Sequence, residues 1–223
     1  MDSILNQLKD RKMFAKGKRG VVYTAFLENK KSLKKVAIKE KKIESTAEGN
    51  IEREAEWLKI LNNHNIGPKF IAFENNSLIY EFVEGEFIQD FLLHSSRKDT
   101  LQIFNDVMMQ CRKMDELGIN KLEMTRPRKH VIITSIITSK KSKENLKQKQ
   151  KLVPVMIDFE RCRRTGKPKN VTQFCQFITL AENSRILEQK NIFIDKNEMI
   201  NTARNYKENP DSKNFLKIKS FLK

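Results

Sequence analysis

The chain is poor in the residues that punctuate or staple a fold: its 223 residues include 7 glycines, 5 prolines, 3 cysteines and a single tryptophan. Cys111, Cys162 and Cys175 are too few and too scattered for a disulfide framework or a zinc site, so reduced thiols in packing roles are expected. No apolar run approaches the roughly 18 to 20 residues needed to cross a bilayer. The segment from Met1 to Phe14 alternates apolar with charged residues where a signal peptide would place an apolar core. These absences lead to the expectation of a cytoplasmic protein with no membrane partner. Zinc-finger spacings and aromatic-rich RNA-binding strand motifs are also missing, which argues against a nucleic-acid binder built on either.

Positive charge, by contrast, is abundant. There are 44 Lys and Arg against 28 Asp and Glu, a formal net charge of +16. Such a field favours encounters with nucleotides, nucleic acids and other polyanions, and carries no information about fold. Hydrophobic residues make up 39% of the chain, and the length suffices for one core or for two small lobes.

Short apolar runs at Val21 to Leu27, Val36 to Lys39, Lys69 to Phe73 and Leu78 to Phe82 read as strands of a mostly antiparallel sheet. Between the second and third, from about Glu48 to Leu61, the stripe Ile51, Ala55, Leu58 and Leu61 follows the helical period, and Asn65, Gly67 and Pro68 end it. Beyond Gly85 the pattern becomes mainly helical. Phe104, Val107, Met108, Cys111 and Met114 form a long stripe that stops at Gly118. Two strand runs follow, Val131 to Ile137 and Leu152 to Ile157, and then helices at Val171 to Ala181 and Glu198 to Tyr206 and a frayed basic end from Phe215. The intervening segment from Thr138 to Leu152 holds six lysines and one glutamate, and is expected to be an exposed loop or hairpin tip. It reads either as a solvated insertion or as an anion-binding finger.

Four features of chemical interest occur in order. In Phe14-Ala15-Lys16-Gly17-Lys18-Arg19-Gly20-Val21-Val22-Tyr23, two glycines lead into a β-branched strand, which suits either a tight hairpin turn or backbone amides approaching phosphate oxygens. Val36-Ala37-Ile38-Lys39 ends a buried-looking strand in a lysine that must reach solvent or an anion. Glu54 shares a helical face with Leu58 and Leu61, so an acid there needs a counter-charge, and Lys39 is the candidate. Last, Val155-Met156-Ile157-Asp158-Phe159-Glu160 is an apolar strand ending in a carboxylate of the kind a hard magnesium ion takes beside phosphates.

Together these residues resemble the protein-kinase superfamily. Gly17, Gly20 and Val22 are similar to the glycine-rich loop, with Ala15 in place of its first glycine. Lys39 and Glu54 resemble the phosphate-binding lysine and its helix glutamate, and Asp158-Phe159-Glu160 resembles Asp-Phe-Gly with Glu160 for the glycine. Leu78-Ile79-Tyr80-Glu81-Phe82-Val83-Glu84-Gly85 looks like the strand and hinge between lobes. The resemblance implies that backbone groups of Glu81 and Val83 bond adenine, that Tyr80 backs its pocket, and that Ala37 and Val22 line it.

No His-Arg-Asp occurs before the strand at Val131. On the same resemblance, Glu123 in Asn120-Lys121-Leu122-Glu123 takes the place of the catalytic aspartate, Lys121 that of the histidine, and His130 that of the metal-binding asparagine. Glu123 then acts as base, or else is a loop carboxylate paired with Arg126. Imidazole at His130 suits manganese better than magnesium. The short run after Glu160 and the absence of Ala-Pro-Glu resemble the compact group of RIO-type and lipopolysaccharide-type kinases, above all predicted serine/threonine kinases of archaea. The implied fold is α+β and two-lobed. It has an antiparallel-sheet lobe with one main helix over 1–83 and a truncated, mostly helical lobe over 84–223 that carries the basic insertion at about 138–152.

The implied function is an atypical serine/threonine protein kinase that uses ATP with Mg2+ or Mn2+ on an unknown protein substrate, on itself, or as an ATPase switch. The alternative is a non-catalytic ATP-binding module whose basic surfaces contact RNA or a ribonucleoprotein.

Overall fold

The computed structural model describes residues 3–17, 20–29, 32–41, 50–141 and 146–223. Lys18 and Arg19 of the glycine turn, Glu48 at the start of the expected helix, and positions 142–145 of the lysine-rich segment lie outside the described residues. The fold is mixed α+β. Two compact units form, Met1–Val83 with Ile157–Cys162, and Glu84–Met156 with Arg163–Lys223.

In the first unit a five-stranded antiparallel sheet has the order β1-β2-β3-β5-β4. Its strands are β1 (Leu8–Lys16), β2 (Gly20–Asn29), β3 (Ser32–Lys41), β4 (Phe70–Glu74) and β5 (Ser77–Glu81). Side-chain alternation splits the sheet into two faces. Ala25, Leu27, Val36, Ile38 and Ile79 form a buried cluster on one, with Leu8, Tyr23 and Ile71 packed against it. The other face carries Lys39 and receives helix α1 (Asn50–Asn62), whose Ile51, Ala55, Leu58 and Leu61 are all buried. Beyond α1, the Asn62 side chain donates to the carbonyls of Ile66 (3.1 Å) and Pro68 (2.9 Å) and accepts from the Phe70 amide (2.7 Å). One amide group thus closes the helix end and starts β4.

The second unit contains β6 (Glu86–Phe87), α2 (Ile88–His94), α3 (Arg97–Glu116), β7 (Ile119–Asn120), β8 (Val131–Lys141), β9 (Leu146–Met156), β10 (Arg163–Arg164), α4 (Asn170–Ile178), α5 (Ala181–Gln189), α6 (Lys196–Glu208) and α7 (Ser212–Ser220). Ser96 caps α3 by accepting from the Asp99 amide, and the helix stops before Gly118, whose φ is +65°. Phe104, Phe174 and Phe177 meet in the core between α3 and α4. Beside them Asp115 accepts hydrogen bonds from the Asn170 amide (2.9 Å) and side chain (2.7 Å), the Val171 amide (3.2 Å) and the Tyr206 hydroxyl (3.2 Å). Burial pushes the Asp115 carboxyl above its usual range, and these donors pull against it. Cys111, Cys162 and Cys175 are buried free thiols, and burial raises Cys175 to about 12, so neither its packing nor its charge state invites reaction.

Two expectations need correction in part. Thr138 to Leu152 lies in a hairpin, one of the two forms expected, but the strands do not stop at Ile137 and Leu152: β8 and β9 stay paired from Val131↔Met156 out to Lys141↔Leu146. The polar, lysine-rich sequence of this stretch carries no apolar alternation, so the pattern that marks a strand is missing. The basic C-terminal segment is not frayed either: Asp211 caps α7 by accepting from the Asn214 amide, and Phe215 and Ile218 anchor it. Among the described residues no helix is long and apolar enough to cross a membrane.

Gly67 has φ +86°, and a Cβ there would lie 2.7 Å from Leu58 Cδ1 and 2.8 Å from Phe159 Cε2. Gly67→Ala is therefore expected to destabilise the first unit by about 1 to 3 kcal/mol. Trp57, the sole tryptophan, lies in α1 and reports the loss as a lower midpoint in fluorescence-monitored denaturation.

Candidate functional site

Lys39 is the centre of the site because three acidic side chains converge on it. Its Nζ donates to Glu54 Oε2 at 2.6 Å and to Asp158 Oδ1 at 3.0 Å, and lies 3.8 Å from Glu160 Oε2. Each partner comes from a different local structure. Lys39 points from β3 on the face that receives α1, Glu54 projects from the inward stripe of α1, and Asp158 and Glu160 follow the end of β9. The other Glu54 oxygen accepts from the Phe159 amide at 3.2 Å. Phe159 is itself buried, and Asp158 sits at φ +63°, a left-handed conformation that turns the chain sharply between the strand and the phenyl ring.

Burial disfavours the Lys39 ammonium, but the Glu54 and Asp158 carboxylates outweigh it and hold the lysine well above its ordinary range. Glu54 is only 3% exposed. Burial pushes its carboxyl upward and Lys39 pulls it back. Burial also raises the Tyr80 phenol, with Glu54 adding to the shift. Asp158 keeps 35% of its side chain exposed, so the solvent side of the cluster is a carboxylate and not the lysine.

Sheet register brings several of the expected residues together. Val22 pairs with Lys39, Ala37 pairs with Tyr80, and alternation puts all four on one face. Glu81 pairs with Val36 and belongs to the opposite face, where its carboxylate meets Lys34 at 2.9 Å. Its amide donates to the Lys69 carbonyl at 2.8 Å. A ligand would therefore meet the Glu81 carbonyl and not its N–H. Val83 follows β5 at the last position of this unit's main segment.

Gly17 and Gly20 flank the β1 to β2 turn, with the Gly17 amide donating to the Gly20 carbonyl at 2.9 Å. A Cβ on Gly20 would lie 2.7 Å from the Glu40 carbonyl oxygen, so close passage of β3 alone requires glycine there. Gly17 is less constrained, at 3.6 Å from its nearest neighbour.

Glu123 and His130 belong to the second unit. Glu123 lies in a 3₁₀ turn, Leu122–Thr125, with Lys121 Nζ 3.7 Å from its Oε2. The Lys121 side chain is fully buried, and its amide donates to the Asn170 side chain at 2.8 Å. Glu123 thus forms an ion pair with Lys121, and Arg126 meets Glu123 through backbone, its amide donating to the Glu123 carbonyl at 3.1 Å. A cavity of about 780 Å³ also lies in the second unit, lined by Arg112, Asp115, Lys167, Arg204, Tyr206 and Lys207 among others. Arg112 donates to Glu116, Tyr206 and Pro210. Arg112, Tyr206 and Asp115 within that lining are linked to one another, the Tyr206 hydroxyl bridging the other two.

Sequence reasoning did not single out Glu160 as part of the site, nor the Phe159 amide as the second partner of Glu54. Both immediately adjoin Asp158, and that adjacency was the available signal. The buried Lys121 had none, because a lysine in a polar loop reads as solvated.

Removing Lys39 leaves Glu54 buried without its cation, which typically costs about 3 to 5 kcal/mol. Lys39→Met is expected to lose that much at pH 8 and less at pH 5, since protonating Glu54 relieves the uncompensated charge. In the unaltered protein the raised Lys39 pKa means that its contribution is fully present below the ordinary lysine value of about 10.4. It fades only as pH rises through the higher folded value, so stability attributable to Lys39 should be flat from pH 6 to 10. Urea denaturation across pH checks both. No protein-family model matches the chain, and neither does any curated protein sequence.

Proposed function

We propose that the first unit binds ATP with magnesium, and that the chain is an atypical serine/threonine protein kinase of two-lobed, kinase-like fold, transferring the γ-phosphate to a hydroxyl. The observation that carries this reading is the placement of Lys39 Nζ between buried Glu54 at 2.6 Å and partly exposed Asp158 at 3.0 Å. A structural ion pair needs only one of those acids. The second leaves a charged lysine and a carboxylate side by side, which suits a polyphosphate that needs a cation from the protein and a metal held by the protein.

The donor set fits magnesium. Glu54, Asp158 and Glu160 each offer an oxygen within 4.8 Å of the others, and hard oxygen ligands are what that ion takes. Glu54 already holds Lys39 and the Phe159 amide, so it positions the lysine. Asp158, with Glu160 beside it, is the metal-binding carboxylate. When bound, the ion neutralises charge on the phosphates. Lys39 holds the α- and β-phosphates, and Val22, Ala37 and Tyr80 share its face of the sheet and supply the apolar bed for the base. Glu81 and Val83 bond adenine through their backbones. Gly17 and Gly20 form the turn over the phosphates. Glu123 as proton acceptor and His130 as a manganese-tolerant second ligand are assigned on their sequence positions.

Transfer of labelled γ-phosphate from ATP, to the chain itself or to a generic basic protein substrate, tests the proposal. Lys39→Met and Asp158→Asn should each lower transfer at least about 100-fold. Glu123→Gln should lower it about 10²- to 10⁴-fold while leaving ATP binding intact. ATP binding without transfer or hydrolysis would favour a nucleotide-binding module instead, and no ATP binding at all would refute the assignment of the site.

A further inference from the structure

The cavity of about 780 Å³ in the second unit is not used by the proposed phosphotransfer chemistry. Its walls come from the end of α3 with Arg112, Asp115 and Glu116, from the loop of Gly166, Lys167 and Pro168 ahead of α4, from the last turns of α6, and from Pro210 beyond it. Sites for small ligands typically measure about 300 to 1,000 Å³, so the space is of that kind. One wall is fixed by hydrogen bonds. The Tyr206 hydroxyl accepts from Arg112 at 2.9 Å and donates to Asp115 at 3.2 Å, and Asp115 in turn accepts from the Asn170 amide and side chain.

Four cationic side chains line this space, and much of their donor capacity is unspent. Of the five N–H donors of Arg112, Nε serves Glu116 at 2.9 Å and Nη1 serves the Tyr206 hydroxyl and the Pro210 carbonyl, which leaves both hydrogens of Nη2. The guanidinium lies 5.3 Å from the Tyr206 ring centre and 5.5 Å from that of Phe215, and its side chain is only 13% exposed, so its position is set before any ligand arrives. The ammonium groups of Lys167 and Lys207 meet no acid and no acceptor among the described residues, and Arg204 meets only the neutral Asn201 side chain at 3.0 Å. On α6, positions 204, 207 and 208 share a face. A cation in the last turn of a helix complements the helix dipole, which accounts for Lys207. It accounts neither for Arg204 one turn earlier nor for Lys167 in the loop.

We infer that this cavity binds the phosphate monoester of a small polyol, a sugar phosphate in chemical class. Charge selects the phosphate: Arg112, Lys167, Arg204 and Lys207 together exceed what one carboxylate calls for, and they suit a dianion that accepts from several donors at once. The acids in the lining select the rest of the ligand. Glu208 has no cation beside it among the described residues and shares the α6 face with Arg204 and Lys207, where it accepts from hydroxyl groups and repels a second phosphate. A nucleotide is disfavoured, because Tyr206 is the one aromatic residue of the lining and is 2% exposed with the Arg112 guanidinium over its ring, leaving no face for a base. A lipid is disfavoured too, since apart from Tyr206 the uncharged residues of the lining are Gly166, Pro168 and Pro210, which make no bed for an acyl chain. The inference is independent of ATP binding in the first unit.

The test is isothermal titration calorimetry of the full chain with glucose 6-phosphate, beside inorganic phosphate, glucose and phosphoethanolamine. Glucose 6-phosphate should bind with a dissociation constant of about 0.1 to 1 mM, at least about tenfold more tightly than any of the other three. Lys167→Gln combined with Lys207→Gln, at exposed positions whose ammonium groups have no partner to lose, should weaken it at least about tenfold. Lys213→Gln with Lys217→Gln, the same loss of charge on α7, should leave it within about twofold of the parent. Glu208→Ala should weaken glucose 6-phosphate about fivefold and leave inorganic phosphate unchanged or tighter, which separates the hydroxyl contact from the attraction of charge. Lysine acetylation of the parent, which needs no variant to fold, should show Lys167 and Lys207 shielded by glucose 6-phosphate while Lys213 and Lys217 stay reactive. Asp158→Asn, which removes a carboxylate of the proposed ATP site, should bind glucose 6-phosphate as the parent does, so either reading can fail without the other. Inorganic phosphate or phosphoethanolamine binding as tightly as glucose 6-phosphate would overturn the proposal. So would an equal loss in the α7 control, or no shielding of Lys167 and Lys207.

Discussion

A buried carboxylate cannot be left alone, and Glu54 makes that constraint the organising one in the first unit. Its two oxygens are met by Lys39 from β3 and by the Phe159 amide, partners 15 and 105 residues away in the chain. Satisfying both fixes the rotation of α1 about its axis, brings the segment Ile157–Cys162 into this unit, and determines where Asp158 stands. Gly67 belongs to the same arrangement because its missing side chain is where Phe159 and Leu58 fit. Such a pair is weak evidence for net stability, since desolvation offsets most of the Coulombic gain. What it supplies is placement: an ammonium that stays charged at neutral pH, aimed at one spot.

Asp115 in the second unit shows what a purely structural solution to the same problem looks like. Its four donors are two backbone amides, one side-chain amide and one hydroxyl, all neutral. The two backbone donors belong to the first turn of α4, where a negative charge is favoured by the helix dipole. The network ties α3, α4 and α6 together. The acid at Glu54 recruits a cation instead, and that cation in turn gathers Asp158 and Glu160. The contrast between these two buried acids is the physical reason for looking to the first unit for chemistry and to the α3 to α6 region for scaffolding.

Legibility in the sequence followed from whether an element buries a patterned face. The α1 stripe, the β2, β3 and β5 runs and the long α3 stripe could be read because tertiary packing wrote their periodicity into the side chains. Edge strand β1 could not: after Leu8 every residue of Leu8–Lys16 is exposed, and Asp10 at φ +53° breaks the ladder register. The short helices α2 and α5 carry too few turns for periodicity to stand out. The outer pairs of β8 and β9 were hidden because their polar, lysine-rich sequence carries no apolar alternation. At the site, the pairing of Lys39 with Glu54 was legible from one strand end and one helical face, since an acid on an apolar stripe announces a partner. Gly20 was legible only as a glycine. Its immediate cause is the approach of β3.

The distribution of charge joins these parts. In a chain of net charge +16, three carboxylates gathered within 4.8 Å of one another run against the prevailing sign, with Lys39 set among them. A polyphosphate drawn by the long-range field would meet local repulsion at Asp158 and Glu160 unless a divalent cation came with it. The buried acid demands rigid placement, and it is found where strand, helix and turn lock together.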